Sequence, residues 1–234
     1  MKKDKQGCDL KTCLLCRLSL KEWTPAIKEH RRNFILNKGQ TLFNEGDKVT
    51  GIYFIYEGRM KVHKHWGPEK ELIVRFARQG DIVGHRGVGG NDQVYPVSAT
   101  ALEPVKVCFI EMEFFQSSLK VNQSLLYELM LFYAQELQES EKNMRNLAHM
   151  SVKERIACAL LFLKDKFGFN KEGFIDLSLS KQDLASYTGT TYETAFRMLN
   201  ELIEARMIAV SGKNIAILHE AKLQQLCRQS GITP

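Results

Sequence analysis

The chain has 234 residues, of which 44% are hydrophobic and 26% are charged, and its formal net charge is +6 at pH 7. This is ordinary globular composition, sufficient for one large domain or two modest ones. No apolar run approaches the ~20 residues of a membrane helix, and no apolar stretch of a signal peptide follows the charged N-terminal residues. We therefore expect a cytoplasmic protein with no membrane partner, whose positive charge fits a polyanionic one.

The first 112 residues predict a cysteine-bearing arm followed by a β-domain. The arm covers residues 1–20, and a helix is expected at residues 22–33. From residue 33 to about residue 110, short alternating polar and apolar segments are separated by glycine-bearing turns. Evenly spaced short strands of this kind are typical of a β-sandwich or roll, which we assign to residues 21–112.

A long helical segment follows the β-domain. Residues 113–148 contain neither glycine nor proline, and their apolar residues recur with a helical period. Seven positions form a heptad seam: Leu126, Met130, Tyr133, Leu137, Ser140, Met144 and Leu147. A helix packed on its own domain would also be amphipathic. However, a helix this long extends beyond the length of a small β-domain, so we predict a dimerisation helix at residues 113–150.

The C-terminal part predicts a winged helix-turn-helix, assigned to residues 151–234. Capping boxes at residues 151–154 and 180–183 begin two helices, and residues 174–179 alternate like a strand. A turn at Gly189 separates the second helix from a third, and residues 207–218 predict two wing strands around a Gly-Lys-Asn turn. Such an element order is typical of a DNA-binding domain.

The third helix of this part carries two charged residues suited to reading bases. Glu193 and Arg197 are four residues apart and therefore share one helix face. In a major groove, arginine bonds a guanine edge bidentately, and glutamate accepts a hydrogen bond from cytosine. Glu193 also fits a capping box that starts at Thr190, so its side chain could instead cap the N-terminus of the helix.

The ordered set of motifs resembles the Crp/Fnr superfamily of bacterial transcription factors over residues 34–228. The residues that carry the resemblance are 38–47, 53–58, 80–84, Leu184, Ala185, Gly189, Glu193, Thr194 and Arg197. It implies an α+β protein with an N-terminal β-roll sensor (a cyclic-nucleotide-binding-like jelly roll), a long dimerisation helix and a C-terminal winged helix-turn-helix. It also implies a homodimer that reads an inverted repeat in double-stranded DNA, with RNA polymerase as a further partner.

The same resemblance implies that Glu193 and Arg197 read a half-site with a TGA-like core. The chain departs from the family at Tyr192 and Phe196, where relatives often carry smaller or basic residues. Phe196 could pack on a thymine methyl group or belong to the core. Three residues are candidates for phosphate contacts, although each could be an ordinary solvated residue: Thr191, Lys181 and Lys213.

The candidate effector region is Gly84, His85 and Arg86. Cyclic-nucleotide binders of this family have Gly-Glu where this chain has Gly84-His85, followed by an Arg-Ser pair. Residues 95–99 contain no arginine, so a cyclic phosphate would lack its bidentate partner, which argues against cyclic AMP. By analogy, this segment could contact the long helix and relay a signal.

Four cysteines are candidates for a metal site: Cys8, Cys13, Cys16 and Cys108. Another branch of the family senses oxygen with an iron–sulfur cluster on three N-terminal cysteines and a distant fourth. Its usual spacing is Cys-x2-Cys-x5-Cys, whereas this chain has Glu22 at the last position and an additional cysteine upstream. A [4Fe–4S] cluster is our first interpretation, and zinc, thiol redox chemistry or no metal are the alternatives. Cys158 and Cys227 are expected to be core thiols, because a reducing cytosol disfavours disulfides.

Two further hypotheses concern other classes of function. His63 and His65 are two residues apart on one strand, with His85 a possible neighbour, so they could bind haem or a metal or be ordinary surface residues. A metal- or ligand-binding sensor that acts through protein partners is the alternative to a DNA-binding regulator. No nucleophile–base pair or phosphate-binding loop indicates an enzyme.

Overall fold

The computed structural model describes residues 2–4, 13–67, 70–89 and 93–228 of the chain. They form two compact units, one up to Leu137 and one from Gln138 onwards. Cys8 lies outside the described residues. None of the helices in the described part of the chain is long and apolar enough to cross a membrane.

The described residues of the first unit form nine strands. Their bounds are Lys2–Lys3 (β1), Arg31–Leu36 (β2), Thr41–Phe43 (β3), Gly51–Glu57 (β4), Met60–Trp66 (β5), Lys70–Ala77 (β6), Ile82–Val83 (β7), Ser98–Ala101 (β8) and Val105–Glu111 (β9). They pair antiparallel into a five-stranded sheet in the order β1-β2-β9-β4-β7 and a four-stranded sheet in the order β3-β8-β5-β6. The predicted β-roll is therefore confirmed.

An apolar cluster drawn from both sheets fills the roll. The predicted alternation holds at the start of β5, where Met60 and Val62 are buried in this cluster and Lys61 is half-exposed. A register shift after Val62 interrupts the alternation, so that His63 is buried as well. Gly58 closes the β4–β5 turn with a φ of +89°, and a Cβ there would lie 2.4 Å from a backbone oxygen of Pro104.

Helices cover one face of the five-stranded sheet. They are Leu14–Leu18 (α1), Thr24–His30 (α2), Met112–Val121 (α3) and the residues up to Leu137 of Gln123–His149 (α4), with 3-10 turns at Lys21–Trp23 and His85–Gly87. A second apolar cluster, here called the helix-side core, joins these helices to β4 and β9. Its buried members include Leu15, Ile27, Phe54, Ile110, Leu125 and Leu129.

Two helix predictions need correction. The helix expected at residues 22–33 ends at His30, because the chain from Arg31 onwards pairs with β9. The helix expected from residue 113 is interrupted at Asn122. The side chain of Asn122 donates to the Ser118 carbonyl at 2.7 Å and accepts from the Leu20 amide at 2.7 Å. The Asn122 side chain thus holds the end of α3, where the backbone leaves helical dihedral angles, and α4 begins afresh after it.

The second unit is a winged helix-turn-helix, as predicted. Its elements are Val152–Phe167 (α5), Lys181–Thr188 (α6), Tyr192–Glu204 (α7), Ile208–Ser211 (β10), Asn214–Ile217 (β11) and Glu220–Arg228 (α8). The capping box of Ser151 with Glu154 is present in full, and the Ser180 hydroxyl caps α6 by accepting from the Asp183 amide at 3.0 Å. Strands β10 and β11 pair antiparallel and form the wing.

Two other predictions for this unit are wrong. Residues 174–179 do not form a strand. Besides an isolated bridge between Phe169 and Ile175, their backbone makes single hydrogen bonds, such as those from the Ile175 amide to the Ile215 carbonyl at 2.8 Å and from the Leu179 amide to the Lys213 carbonyl at 3.1 Å. Their alternation arises because Ile175, Leu177 and Leu179 are buried in an irregular segment. Cys158 of α5 and Cys227 of α8 are not separate core thiols but form a disulfide, between residues 69 positions apart.

Candidate functional site

Helix α7 presents one buried and one exposed face. Ala195, Leu199 and Leu202 are buried and hold the helix against its unit. Among the residues on its opposite face, Tyr192, Glu193, Phe196 and Arg197 are all exposed. Neither Glu193 nor Arg197 has a side-chain hydrogen bond or ion pair with another described residue. The sequence-based pairing of these two charges on one solvent face therefore agrees with the geometry.

The start of α7 differs from the predicted capping box. The cap is Thr191, whose hydroxyl accepts from the Thr194 amide at 3.3 Å, and not Thr190. Glu193 is consequently in the first turn but not at the position that a capping box would use. Its carboxylate is exposed near the positive end of the helix dipole, where it is stabilised and free to accept hydrogen bonds from a ligand.

An aromatic and cationic group borders these charges. Tyr192 and Phe196 stack with ring centroids 6.2 Å apart, and the Lys181 ammonium lies 4.3 Å from the Phe196 ring centroid. Phe196 is 38% exposed, so it belongs to the surface and not to the core. Lys213 is exposed in the turn of the wing. The structure thus brings Lys181, Tyr192 and Phe196 together beside the charged pair.

Arg155 fixes the turn between α6 and α7, a role that the sequence did not predict. Its guanidinium donates to the carbonyls of Thr188 at 2.8 Å, Gly189 at 3.3 Å and Met150 at 2.7 Å. Gly189 has left-handed dihedral angles at the end of α6, as the turn requires. The acceptors are backbone carbonyls and carry no side-chain signature, so no motif identifies Arg155 as their partner.

Most of the predicted dimer seam is exposed on α4. The exposed fractions are 49% for Leu126, 55% for Met130, 61% for Leu137 and 61% for Met144. Ser140 is exposed, and Leu147 is 40% exposed. Tyr133 differs, since it is half-buried and its hydroxyl donates to the His85 carbonyl. Large apolar side chains in a row on a single chain are typical of a surface that a partner covers.

Three of the four candidate cysteine ligands lie in or beside the helix-side core. Cys13 and Cys108 are buried members of it, and Cys16 packs against it from α1. The Cys13 sulfur accepts from the Cys16 amide at 3.3 Å and so caps α1. An apolar surrounding is typical of cysteine ligands in iron–sulfur and zinc sites, and these three cysteines share such a surrounding although their segments are far apart in the sequence.

The candidate effector region contacts α4 through a charged cluster. Glu136 accepts from Arg75 at 3.2 Å and from Arg86 at 2.8 Å, and its carboxylate lies 3.8 Å from the His85 ring. Burial lowers the pKa of His85 to about 4. Burial alone would raise the pKa of Glu136, but His85, Arg75 and Arg86 hold it well below its ordinary value. Sequence reasoning missed Arg75 and Glu136.

The histidine pair of β5 is divided between interior and surface. His63 is buried, whereas the His65 side chain is 47% exposed, and both approach Glu71 of β6. His85 is not beside them but packs against Phe132 and Tyr133 of α4.

Family models match both units. A cyclic nucleotide-binding domain matches residues 34–122, and a Crp-like helix-turn-helix domain matches residues 154–226. The fumarate and nitrate reduction regulatory protein of Vibrio cholerae is 30% identical over 194 residues, which are 82% of this chain and 76% of the relative. The transcriptional activator protein Anr of Pseudomonas protegens is 30% identical over 222 residues, which are 94% of this chain and 88% of the relative.

Solved structures share the fold. FixK2 from Bradyrhizobium japonicum has a TM-score of 0.74 at 22% identity, over 84% of this chain and 96% of its own. A CooA mutant from Carboxydothermus hydrogenoformans has a TM-score of 0.76 at 18% identity, over 93% of this chain and 96% of its own. The roll, the winged helix-turn-helix and the 30% identity over 82% of the chain show that this protein belongs to the Crp/Fnr family of DNA-binding transcription regulators.

Proposed function

We propose that the chain is a homodimeric, redox-responsive transcription regulator that reads an inverted DNA repeat through Arg197 and Glu193. The observation that carries the proposal is the exposed face of α7, where both charges point away from their own unit and have no partner among the described residues. RNA polymerase is the proposed further partner, and the cytoplasm is the proposed location.

The chemistry of α7 supports direct base reading. Arg197 supplies a planar donor pair for a guanine edge, and Glu193 one turn earlier supplies an acceptor for a cytosine amino group. Phe196 provides an apolar surface for a thymine methyl group, and Lys181, Thr191 and Lys213 are suited to backbone phosphates. The exposed seam of α4 supports a dimer, which would pair two such helices on two half-sites.

The cysteines support a redox signal. Cys13, Cys16 and Cys108 are the proposed protein ligands of an iron–sulfur cluster, with Cys8 as the fourth. When bound, such a cluster would supply a redox-active group that oxygen or other oxidants can oxidise. The chain itself would contribute cysteine ligands and an apolar surrounding that limits water, in a cluster that also contains Leu125 and Leu129 of α4.

The interior of the roll supports a signal other than cyclic AMP. Tyr95 is fully buried, stacks on Phe43 with centroids 4.0 Å apart, and donates a hydrogen bond to the Gly51 carbonyl at 2.8 Å. No arginine occurs among residues 95–99 to bind a cyclic phosphate.

Arg197→Ala tests the DNA-reading proposal. Binding to an inverted repeat with TGA-type half-sites should lose about 1–3 kcal/mol of discrimination per half-site, while weak binding to unrelated DNA remains. Arg145→Ala, which removes an exposed arginine from α4, is the matched control and should retain discrimination. Circular dichroism verifies that both variants are folded. Unchanged discrimination in Arg197→Ala would refute the assignment.

Salt dependence separates the proposal from a sensor that acts only through protein partners. A DNA-binding regulator should lose affinity steeply as salt is raised, because bound phosphates release counterions. Binding that is negligible even at low salt would favour the protein-partner alternative.

Anaerobic purification tests the cluster. A broad visible absorption that bleaches in air, with about four irons per chain, is expected for a four-iron cluster on four cysteines. Cys16→Ser should lose the colour and Cys158→Ser should keep it, since Cys158 lies in the other unit. A colourless protein with about one zinc per chain would make the cysteines structural.

A further inference from the structure

We infer that His63, His65 and Glu71 form a binding site for one divalent transition-metal ion of the zinc class, separate from the cysteines. One ligand atom from each residue lies within 4.8 Å of the other two. Among the described residues this is the only group of three potential metal ligands at such distances. The inference does not depend on the proposed DNA contacts or on the iron–sulfur cluster.

The distances fit a small ion after a minor adjustment. Zinc ligands of nitrogen and oxygen lie about 2.0–2.2 Å from the metal, so tetrahedral geometry separates two ligand atoms by about 3.4 Å. The His63 Nδ1 is 3.3 Å from the Glu71 Oε2, and the His65 Nε2 is 3.9 Å from the same oxygen. His65 is half-exposed and can therefore close the remaining gap by rotating its side chain.

The surroundings of His63 orient its ring for metal binding. The ring is 4% exposed, and its Nε2 is 2.9 Å from the Thr100 hydroxyl on the neighbouring strand β8. If Nε2 donates this hydrogen bond, the proton is fixed there and Nδ1 faces Glu71 with its lone pair. A second partner that fixes the tautomer in this way is typical of histidine ligands in metal sites.

The two oxygens of Glu71 have separate contacts. Oε1 is 2.7 Å from the Lys61 ammonium, whereas Oε2 faces both histidines. The carboxylate can therefore bind an ion through Oε2 and keep its ion pair with Lys61. Two imidazoles and one carboxylate suit zinc and its transition-metal neighbours better than calcium or magnesium, which prefer all-oxygen sites. The fourth position is left for water.

The sequence provides a reporter beside the site. Trp66 directly follows His65 and is 84% exposed. A paramagnetic ion such as Co²⁺ bound at His65 should quench its fluorescence. The second tryptophan, Trp23, lies outside β5 and packs against the helix-side core, so Trp66→Phe identifies which tryptophan reports the ion.

Titration of the untagged, reduced full-length protein with Co²⁺, and with Zn²⁺ in competition, tests the site. Wild type should show saturable quenching of Trp66 at one ion per chain, and His65→Asn should weaken this binding by at least about 100-fold. Trp66→Phe should lose the signal but keep the ion in equilibrium dialysis. His219→Asn removes an exposed histidine elsewhere and should match wild type.

Two further variants separate a built site from a chance surface histidine. Glu71→Gln should lose the ion, and Thr100→Val should weaken binding by about 10–100-fold, because the hydroxyl that orients the His63 ring is removed. Cobalt at cysteines would show thiolate charge-transfer bands that His65→Asn leaves unchanged, so the two kinds of site are distinguishable. Equal quenching of Trp66 by Co²⁺ in wild type and His65→Asn would overturn the inference. The three residues would then only form polar contacts between β5 and β6.

Discussion

His85 should make the first unit sensitive to mild acid, and His85→Phe should remove that sensitivity. The ring is 2% exposed and packs against Phe132 and Tyr133 of α4. Burial lowers its pKa from 6.5 to about 4, with Arg75 and Arg86 acting in the same direction and Glu136 opposing them. Phenylalanine fills the aromatic pocket without binding a proton.

The expected loss of unfolding free energy follows from the pKa of His85 in the folded and in the unfolded chain. The folded pKa of His85 lies below the unfolded one, so the unfolded chain binds the proton more readily between pH 6.5 and about 4. The free energy of unfolding therefore falls as the pH drops through this window. At about 1.36 kcal/mol per pH unit, the loss is about 3 kcal/mol. Glu136 adds its own loss only at lower pH, because its pKa is depressed below the ordinary carboxyl range.

Urea unfolding across this pH window provides the assay. Fluorescence of Trp23 reports on the first unit, since its indole stacks on Phe114 and donates to the Ser118 hydroxyl at 3.0 Å. The wild-type unfolding free energy should fall more steeply with decreasing pH than that of His85→Phe, by about one proton per chain. His219→Phe, at an exposed position in the second unit, should follow wild type. Parallel curves for wild type and His85→Phe would refute the reasoning.

Three smaller perturbations concern the second unit and can be measured by thermal or urea unfolding. Cys227→Ser removes a link between residues 69 positions apart and should cost about 4 kcal/mol by loop entropy, and reductant should then have no further effect. Gly189→Ala places a side chain at a φ of +63°, with its Cβ 2.4 Å from the Leu147 Cδ2, and should cost about 1–2 kcal/mol. Ser151→Ala leaves the Glu154 amide without its cap and should cost about 1 kcal/mol, most of which Ser151→Thr should restore.

The features that could be predicted from the sequence are local ones. The cap of α5 at Ser151 needs only Glu154 three residues later, and the turn at Gly189 needs only a residue that tolerates a positive φ. The shared face of Glu193 and Arg197 follows from helix geometry alone. For the same reason, the arrangement of α7 is the part of the candidate site that sequence reasoning described best.

The features that could not be predicted depend on distant partners. Asn122 interrupts the long helix while bound to the Leu20 amide, 102 residues away. His63 is buried because the β5–β6 register shifts, which no alternation pattern contains. Arg75 reaches Glu136 across 61 residues, and neither residue belongs to a recognisable motif. Burial and pairing of this kind arise only when the whole unit is assembled.

The first unit contacts the N-terminal half of α4 through two chemically different groups. Cys13 and Cys108 share a buried core with Leu125 and Leu129, so a change in thiol or metal chemistry there alters the packing of α4 directly. About two turns beyond Leu129 on α4, Glu136 accepts hydrogen bonds from the guanidiniums of Arg75 and Arg86. Tightly packed interiors do not absorb volume or charge changes locally. Oxidation at the cysteines and protonation at His85 should therefore act on the same helix, whose outer residues form the predicted dimer seam.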